Sequence, residues 1–168
     1  MRRIVTLTIV AFFMGFQTRL EAQHHSHSHN RNELGVSGGT LFSLEHKEWG
    51  AGIHLHYYHK LGEHSKWSLG GMIESAWVND IHFVTGLGVK FEPVSRFSIG
   101  ILPGITYLHH DEVEKNHAHN KNAFFSTHYE LVYDLFEWEK FHISPVLDFS
   151  WSKNDSHFML GIHAAYCF

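Results

Sequence analysis

The chain has 168 residues, of which 43% are hydrophobic and 18% charged, and its formal net charge is −4. This length suits one domain, and the acidic balance argues against nucleic acid as a partner, since a phosphate-binding surface needs clustered Lys and Arg. The only cysteine, Cys167, excludes an intramolecular disulfide. Two features stand out, the 15% aromatic residues and the 18 histidines.

The N-terminal segment has the pattern of a secretory signal peptide. Arg2 and Arg3 precede an apolar run from Ile4 to Phe16, and a polar stretch then leads to Ala22 at a plausible cleavage point. The run is too short to span a bilayer as a helix. We therefore predict a cleaved signal peptide at residues 1–22, a His-rich flexible periplasmic tail at residues 23–32, and a folded domain at residues 33–168.

Apolar residues in that domain alternate with small or polar ones at period two, which predicts β-strands. A weaker first strand at about Leu34 to Leu44 brings the number of strands to about eight. The other seven alternating segments are Trp49–Tyr58, Trp67–Trp77, Ile81–Phe91, Phe97–Tyr107, Phe125–Leu135, Phe141–Trp151 and Phe158–Phe168. Fold class is therefore all-β, an up-and-down antiparallel barrel.

The composition of the two strand faces indicates which face is inside. The polar face is dominated by Gly, Ser and His rather than by the Lys, Glu and Thr of a water-exposed sheet, so it suits the crowded interior of a narrow barrel. The apolar face is uncharged, as hydrocarbon requires, and aromatic residues gather near the segment ends like interfacial girdles. These properties favour a transmembrane barrel over a soluble lipocalin-like one.

The connections give a second indication. With both termini in the periplasm, the first, third, fifth and seventh connections face outward, and the fifth, His109–Asn122, is by far the longest. Long outer loops and short inner turns are typical of outer-membrane barrels. Pro103 and Pro145 fall within predicted strands, where each removes a ladder hydrogen bond, so we expect a bulge or local distortion at both.

By strand number, alternation and the aromatic end of its last segment, Phe158–Phe168, the chain resembles the small outer-membrane barrels of the OmpA transmembrane domain and OmpX type, within the broader porin-like class. The resemblance implies a protein of the bacterial outer membrane, surrounded by outer-membrane lipids. It also implies that the barrel-assembly machinery inserts the chain and reads the terminal strand that ends at Phe168. A fold of this kind does not by itself name a function.

Histidines concentrate in two segments that we expect to be flexible. Neutral imidazole binds Zn and related transition metals, and the loop adds carboxylate ligands beside its histidines. Polar linker composition without a metal function is the alternative interpretation. The candidate metal ligands in these segments are His24, His25, His27 and His29 in the tail, and His109, His110, Asp111, His117 and His119 in the long loop.

A third set of ionisable residues is predicted to face the lumen near mid-height, with Gly39 leaving space beside it. A lumenal metal site and a buried histidine–carboxylate network that only satisfies polar groups are both open interpretations. The candidate metal ligands are His54, His56, His128, Glu130, Asp148 and His163, and Glu74 and His82 belong to the same inward-facing set.

The predicted function is the binding of divalent transition-metal ions, such as Zn²⁺, in support of metal uptake or homeostasis. A structural or adhesive barrel without a metal function is the alternative. A lipid-modifying enzyme is less favoured, because its nucleophile must be activated by a base and reach a lipid. The Ser–His pairs at Ser144 and His142 and at Ser126 and His128 point into the lumen instead. We therefore predict no enzymatic activity and no required cofactor.

Overall fold

The structure is a computed structural model that describes residues 31–78, 81–109, 123–153 and 156–168. The predicted signal peptide, the histidines of the tail and nearly all of the long loop lie outside these residues, so the domain boundaries stay predictions. No helix in the described part of the chain is long and apolar enough to cross a membrane.

Nine β-strands make up the described domain, and their bounds lie within a few residues of the alternating segments. The strands are β1 (Asn32–Ser43), β2 (Trp49–Lys60), β3 (Trp67–Trp77), β4 (Ile81–Val94), β5 (Phe97–His109), β6 (Ala123–Tyr133), β7 (Phe136–Trp138), β8 (Phe141–Ser152) and β9 (His157–Cys167).

Each long strand pairs antiparallel with its neighbour in the chain, and β1 also pairs with β9 and so closes the sheet. The short β7 continues β6, since both pair with β8. The architecture is therefore a closed, eight-stranded, up-and-down barrel, as the sequence predicted. Closure satisfies the backbone groups that an open sheet edge would expose to lipid.

The alternation of side chains divides every strand between two surroundings. On β2 the outward Ile53, Leu55 and Tyr57 are 43–49% exposed, whereas the inward His54 and His56 are at most 2% exposed. The same division in the other strands gives the barrel an apolar outer belt and a mostly polar lumen. An exposed apolar belt of this kind matches the hydrocarbon of a bilayer.

The two ends of the barrel differ in their connections. Asn32 and Phe168 exchange backbone hydrogen bonds of 3.0 and 2.9 Å, so both chain ends lie at one end of the barrel. We call this the terminus end, which also carries the turns at 61–66, 95–96 and 139–140. The opposite, loop end carries the connection at 44–48 and the strand ends at Trp77, Ile81, His109, Ala123, Ser152 and His157.

The two prolines have different consequences. Around Pro103 the β4–β5 register is the same on both sides, from Gly86↔Gly104 to Val89↔Ile101, so no extra residue is inserted there. Leu87 and Gly88 between them have no partner on β5, and this interruption is the local distortion expected at Pro103. Pro145 lies on β8, opposite the point where β6 ends. There the three residues 133–135 stand opposite the two residues 144–145, and pairing with β8 resumes in β7. This extra residue is the distortion expected at Pro145, because proline has no N–H for a ladder hydrogen bond.

The lumen changes in character from end to end. Towards the loop end it holds an apolar plug of Leu41, Ala76, Val78 and Met159, all buried, beside the buried polar side chains of His82, Thr106, Ser126 and Ser152. Glycines make room for the plug, because a Cβ on Gly52 would lie 2.9 Å from Leu41. The middle of the lumen is occupied by buried histidines and carboxylates.

Candidate metal centre

Inward positions of four strands bring ionisable side chains together at mid-height. His54 on β2 lies opposite Glu74 on β3, and Glu130 on β6 lies opposite Asp148 on β8. Each of these four residues is at most 3% exposed. Small residues between them on the lumen wall, such as Ser37 on β1, leave the space that the larger side chains fill.

We define the central group as His54, Glu74, His128 and Asp148. His54 Nδ1 lies 3.6 Å from Asp148 Oδ2 and 3.9 Å from Glu74 Oε2. His128 Nδ1 lies 3.5 Å from Glu74 Oε2 and 3.5 Å from Asp148 Oδ1. The two imidazoles thus direct the same ring nitrogen at the same pair of carboxylates.

The other ring nitrogen of each histidine faces a different partner. His54 Nε2 lies 3.0 Å from Glu130 Oε2, and His128 Nε2 lies 3.2 Å from the hydroxyl of Ser150. In metal sites the nitrogen that does not bind the ion is almost always held by a carboxylate, a carbonyl or water, which fixes the orientation of the ring. Glu130 is placed to do this for His54.

The distances between imidazole and carboxylate atoms in the central group are slightly longer than the separation of ligand atoms around a tetrahedral ion. With metal–ligand bonds of about 2.0–2.1 Å, neighbouring ligand atoms in a tetrahedron lie about 3.3–3.4 Å apart. The four distances between imidazole and carboxylate atoms are 3.5–3.9 Å. His54, Glu74 and Asp148 each offer one ligand atom within 4.8 Å of the others, so these three residues are placed to hold one ion. His128 contacts Glu74 and the other oxygen of Asp148, and it would have to move closer to become a fourth ligand.

Several buried polar atoms of the central group lack an aligned hydrogen-bond partner among the described residues. They include both ring nitrogens of His54, both carboxylate oxygens of Asp148 and Nδ1 of His128. Buried polar atoms are nearly always satisfied by protein, water or an ion. The arrangement therefore favours a bound species between the two imidazoles and the two carboxylates.

A second group lies nearer the terminus end. The rings of His56 and His163 stack with centroids 4.8 Å apart, and His56 Nε2 lies 3.5 Å from Glu33 Oε1. Gly35 makes room for this ring pair, since a Cβ there would lie 2.3 Å from His56 Nε2. Gly39, which we expected to provide that space, instead packs against the β9 backbone, where its Cβ would lie 2.3 Å from the Leu160 carbonyl oxygen.

Glu33 has a second partner in this region. Its Oε2 accepts a hydrogen bond from Lys90 Nζ, which also lies 3.6 Å from Glu92 and 5.1 Å from the centre of the Tyr58 ring. The oxygen that faces His56 is thus not the one that holds the lysine. This leaves Glu33 able to contact a cation beside His56 while its ion pair persists.

A third group surrounds the interruption between β6 and β7. His142 Nδ1 lies 3.8 Å from Asp134 and 3.7 Å from Glu137, and the Ser144 hydroxyl donates a 2.6 Å hydrogen bond to Asp134. Asp134 belongs to the connection between the two strands, and its burial raises the pKa of its carboxyl group. The extra residue at 133–135 reverses the side-chain alternation, so that Asp134 and Glu137 both line the lumen mouth.

The structure places the predicted lumenal residues as follows. His54, His56, His128, Glu130, Asp148 and His163 are all buried and face inward, and Glu74 joins them. His82 is also buried, and the ligand groups found in the described part of the chain include neither His82 nor His128. Of these two, His128 lies 3.5 Å from both Glu74 and Asp148. All of the flexible candidates except His109, the last residue of β5, lie outside the described residues, and nothing is described of the His109 side chain.

Two contributing residues were missed. Glu33 contacts His56, and His157 Nε2 lies 3.4 Å from Glu74 Oε1. Both lie at or next to strand ends, where the sequence pattern is weakest. The alternation alone contains the signal, since residue 33 shares its face with Ser37 and residue 157 shares its face with His163.

Solved structures of similar fold include small bacterial barrels. Ail, the attachment invasion locus protein of Yersinia pestis, has a TM-score of 0.56 at 11% identity, covering 83% of this chain and 99% of that chain. The N-terminal β-barrel domain of Pseudomonas aeruginosa OprF has a TM-score of 0.57 at 9% identity, with the same coverage. Neisserial surface protein A has 0.54 at 7% identity, covering 86% and 100%.

No protein-family model matches the sequence, and no curated protein sequence matches it either. At these identities the likeness establishes the fold and does not carry over a function. The fold, together with the apolar outer belt, is that of a small bacterial outer-membrane β-barrel. A function must be argued from the lumen itself.

Proposed function

We propose that this protein is an outer-membrane barrel that binds a divalent transition-metal ion, with Zn²⁺ as the reference ion, in the central group His54, Glu74, His128 and Asp148. Such binding serves metal uptake or homeostasis. The His-rich tail and long loop are proposed to capture ions with fast exchange at the two surfaces of the membrane. The lumenal site holds an ion more tightly, because its ligands are already ordered.

One observation carries the proposal. His54 and His128 both direct Nδ1 at Glu74 and Asp148, while their Nε2 atoms face Glu130 and Ser150. In a network that only filled the lumen, these ring nitrogens would donate aligned hydrogen bonds to the carboxylates, whereas Nδ1 of both histidines and both oxygens of Asp148 lack such bonds among the described residues. Two imidazoles and two carboxylates are a ligand set that suits Zn²⁺ and its neighbours in the first transition row.

The test separates lumenal binding from binding by the flexible segments. We would refold the mature chain in detergent with all eight candidate histidines of the tail and long loop replaced by alanine. Co²⁺ is the probe, because four-coordinate Co²⁺ gives a visible absorption band that Zn²⁺ abolishes on displacing it. The replaced residues are His24, His25, His27, His29, His109, His110, His117 and His119.

This variant without the eight flexible histidines, the background protein, should still bind one Co²⁺ ion and show the absorption band of four-coordinate Co²⁺. Glu74→Gln and Asp148→Asn keep the side-chain size but remove a charged ligand, and each should weaken binding by more than about a hundredfold. Glu130→Gln should weaken it by about 10–100-fold, the effect expected of a partner that orients a ligand. Glu63→Gln, an exposed carboxylate paired with Arg31, is the matched control and should change nothing.

Absence of the band from the background protein, with binding by the unmodified chain, would assign metal binding to the flexible segments alone. Absence of binding by both would leave a structural or adhesive barrel as the function. Equal binding by Glu74→Gln, Asp148→Asn and Glu63→Gln would also contradict the lumenal site.

A further inference from the structure

The ligand groups in the lumen overlap. Glu33, His56 and His163 bring their ligand atoms within 4.8 Å of one another, and so do His54, His56 and Glu130. The first set, the entry group, and the second set, the middle group, share His56. The middle group and the central group share His54. Neighbouring groups therefore have a ligand in common.

The overlap of the ligand groups follows from the inward side chains of β2. Its inward positions, taken from the loop end, are Gly50, Gly52, His54, His56 and Tyr58. Inward residues two apart on a strand are separated by about 6.6 Å along it, and the ring centroids of His54 and His56 are only 5.5 Å apart. One strand thus supplies consecutive imidazoles along the axis of the barrel.

The series of overlapping ligand groups opens to solvent at one end of the barrel. At the terminus end a cavity of about 1150 Å³, the vestibule, is lined among others by Glu33, Tyr58, Lys90, Glu130 and His163. It therefore reaches residues of both the entry group and the middle group. Both ring nitrogens of His56 lack an aligned hydrogen-bond partner among the described residues, although the ring is only 2% exposed.

The other end is closed by packing, in which the apolar plug is accompanied by the buried polar side chains of His82, Ser126, Ser152 and His157. Beyond His54 the inward positions of β2 are glycines, and a Cβ on Gly52 would meet Leu41 and Met159, whereas one on Gly50 would lie 2.6 Å from Val78. The four plug side chains are at most 7% exposed. The plug offers no ligand atom to a divalent ion, and His82 and His157, the buried histidines at this end, join none of the ligand groups found among the described residues. An ion crossing this zone would therefore lose its water with fewer ligands in exchange than along the entry and middle groups.

We propose that divalent metal ions exchange with the central group only through the terminus end, moving from the vestibule through the overlapping entry and middle groups. This inference rests on the proposed function and adds the route and its direction. A barrel with its termini in the periplasm would then bind ions from that compartment and return them to it, so that of the two proposed purposes the lumenal site serves homeostasis and not uptake across the membrane. The shared residues His56 and His54 pass the ion on without releasing it to an apolar surface.

The first test measures rates apart from affinity. Co²⁺ association with the histidine-replaced background is followed by stopped-flow absorbance, and release is followed after mixing with excess EDTA. His56→Leu should slow both rates by at least about tenfold, because the ligand that the entry and middle groups share is lost. The dissociation constant should stay within about threefold of that of the background protein, because the central group remains. Glu33→Gln should slow both rates less. Heat-modifiable migration in detergent gels verifies that each variant is folded.

The second test locates the entrance with a matched pair of charge reversals. Arg96 and Lys47 are basic residues with positive φ, 69° and 57°, in connections at the terminus end and the loop end. A negative charge near an entrance accelerates cation association at low salt, and salt screens the effect. Arg96→Glu should raise the association rate severalfold at low salt, with the gain lost at about 0.5 M salt, whereas Lys47→Glu should not raise it.

The outcomes separate the two proposals. Failure of the background protein to bind Co²⁺ at equilibrium would overturn the central group and the path with it. Normal equilibrium binding with unchanged rates in His56→Leu would overturn the path alone. Faster association in Lys47→Glu but not in Arg96→Glu would overturn the direction and place the entrance at the loop end.

Discussion

The outward and inward surfaces of this barrel are built from the same strands but lie in different surroundings. On β2, Leu55 is 49% exposed on the outside, and its neighbour His54 is 1% exposed on the inside. The outer belt is specified only by being apolar and uncharged, so many residues satisfy it. The inner face is specified by particular contacts, because each buried polar atom needs a partner. Substitutions on the two faces should therefore follow different rules.

The largest difference in the free energy of unfolding is expected when a leucine is replaced by alanine on each of the two faces. Leu41 lies in the plug at 0% exposure, and Leu160 on β9 is 68% exposed to the outside. Leu41→Ala should lower the free energy of unfolding by roughly 2–5 kcal/mol, since it leaves a cavity in a packed interior. Leu160→Ala should cost less than about 1 kcal/mol, because lipid chains are as apolar as leucine and fill the space.

Urea unfolding in lipid vesicles, followed by tryptophan fluorescence, measures both variants. Equal losses would show that the plug is not packed like a protein core. A larger loss for Leu160→Ala would contradict the assignment of the two faces.

A charge placed on the belt gives the next largest effect. Leu55→Arg, near the middle of β2, should cost roughly 2–4 kcal/mol, as expected for arginine near the bilayer midplane. Leu61→Arg is the matched control, because Leu61 is 56% exposed in the turn after β2 and should cost roughly 0–1 kcal/mol. The same unfolding measurement applies. If Leu55→Arg were tolerated as well as Leu61→Arg, the belt would not contact hydrocarbon.

These contrasts also explain how much of the structure the sequence predicted. Alternation at period two specifies strands and faces over the whole domain, so the barrel and the inward position of residues such as His54 and Asp148 followed directly. Which ring nitrogen faces which carboxylate depends on side-chain rotamers, which a single sequence does not determine. A distortion at Pro145 was predicted, but its consequence, the reversed alternation after β6, was not, because the composition does not show on which strand the extra residue lies.

A third contrast divides the histidines by location. Replacing His109, His110, His117 and His119 by alanine and deleting the tail should remove the rapidly exchanging component of Zn²⁺ binding and leave the barrel folded. That component should weaken steeply below about pH 6, because an imidazole with a pKa near 6.5 must lose its proton to bind a metal. Calorimetric titration between about pH 7.5 and 5.5 measures it. Unaltered binding in the combined variant would contradict capture by the flexible segments.

The smallest effect concerns Asp134, whose carboxyl pKa is raised by burial against the opposing effects of its Ser144 hydrogen bond and nearby His142. A raised pKa in the folded state means that the ionised form is disfavoured there. The contribution of this carboxyl group to the free energy of unfolding is present below its pKa of about 3.8 in the unfolded chain. It is lost as the pH rises through its pKa in the folded protein.

Asp134→Asn keeps an acceptor for Ser144 and removes the charge. It should therefore raise the free energy of unfolding at pH 7.5 by less than about 1 kcal/mol, and the gain should vanish below about pH 3.8, where the aspartic acid is neutral in both states. Glu139→Gln, in the exposed turn at the same end, is the control for loss of one negative charge. A loss of stability in Asp134→Asn at pH 7.5 would mean that the 2.6 Å hydrogen bond from Ser144 to the ionised carboxylate outweighs the burial of that charge.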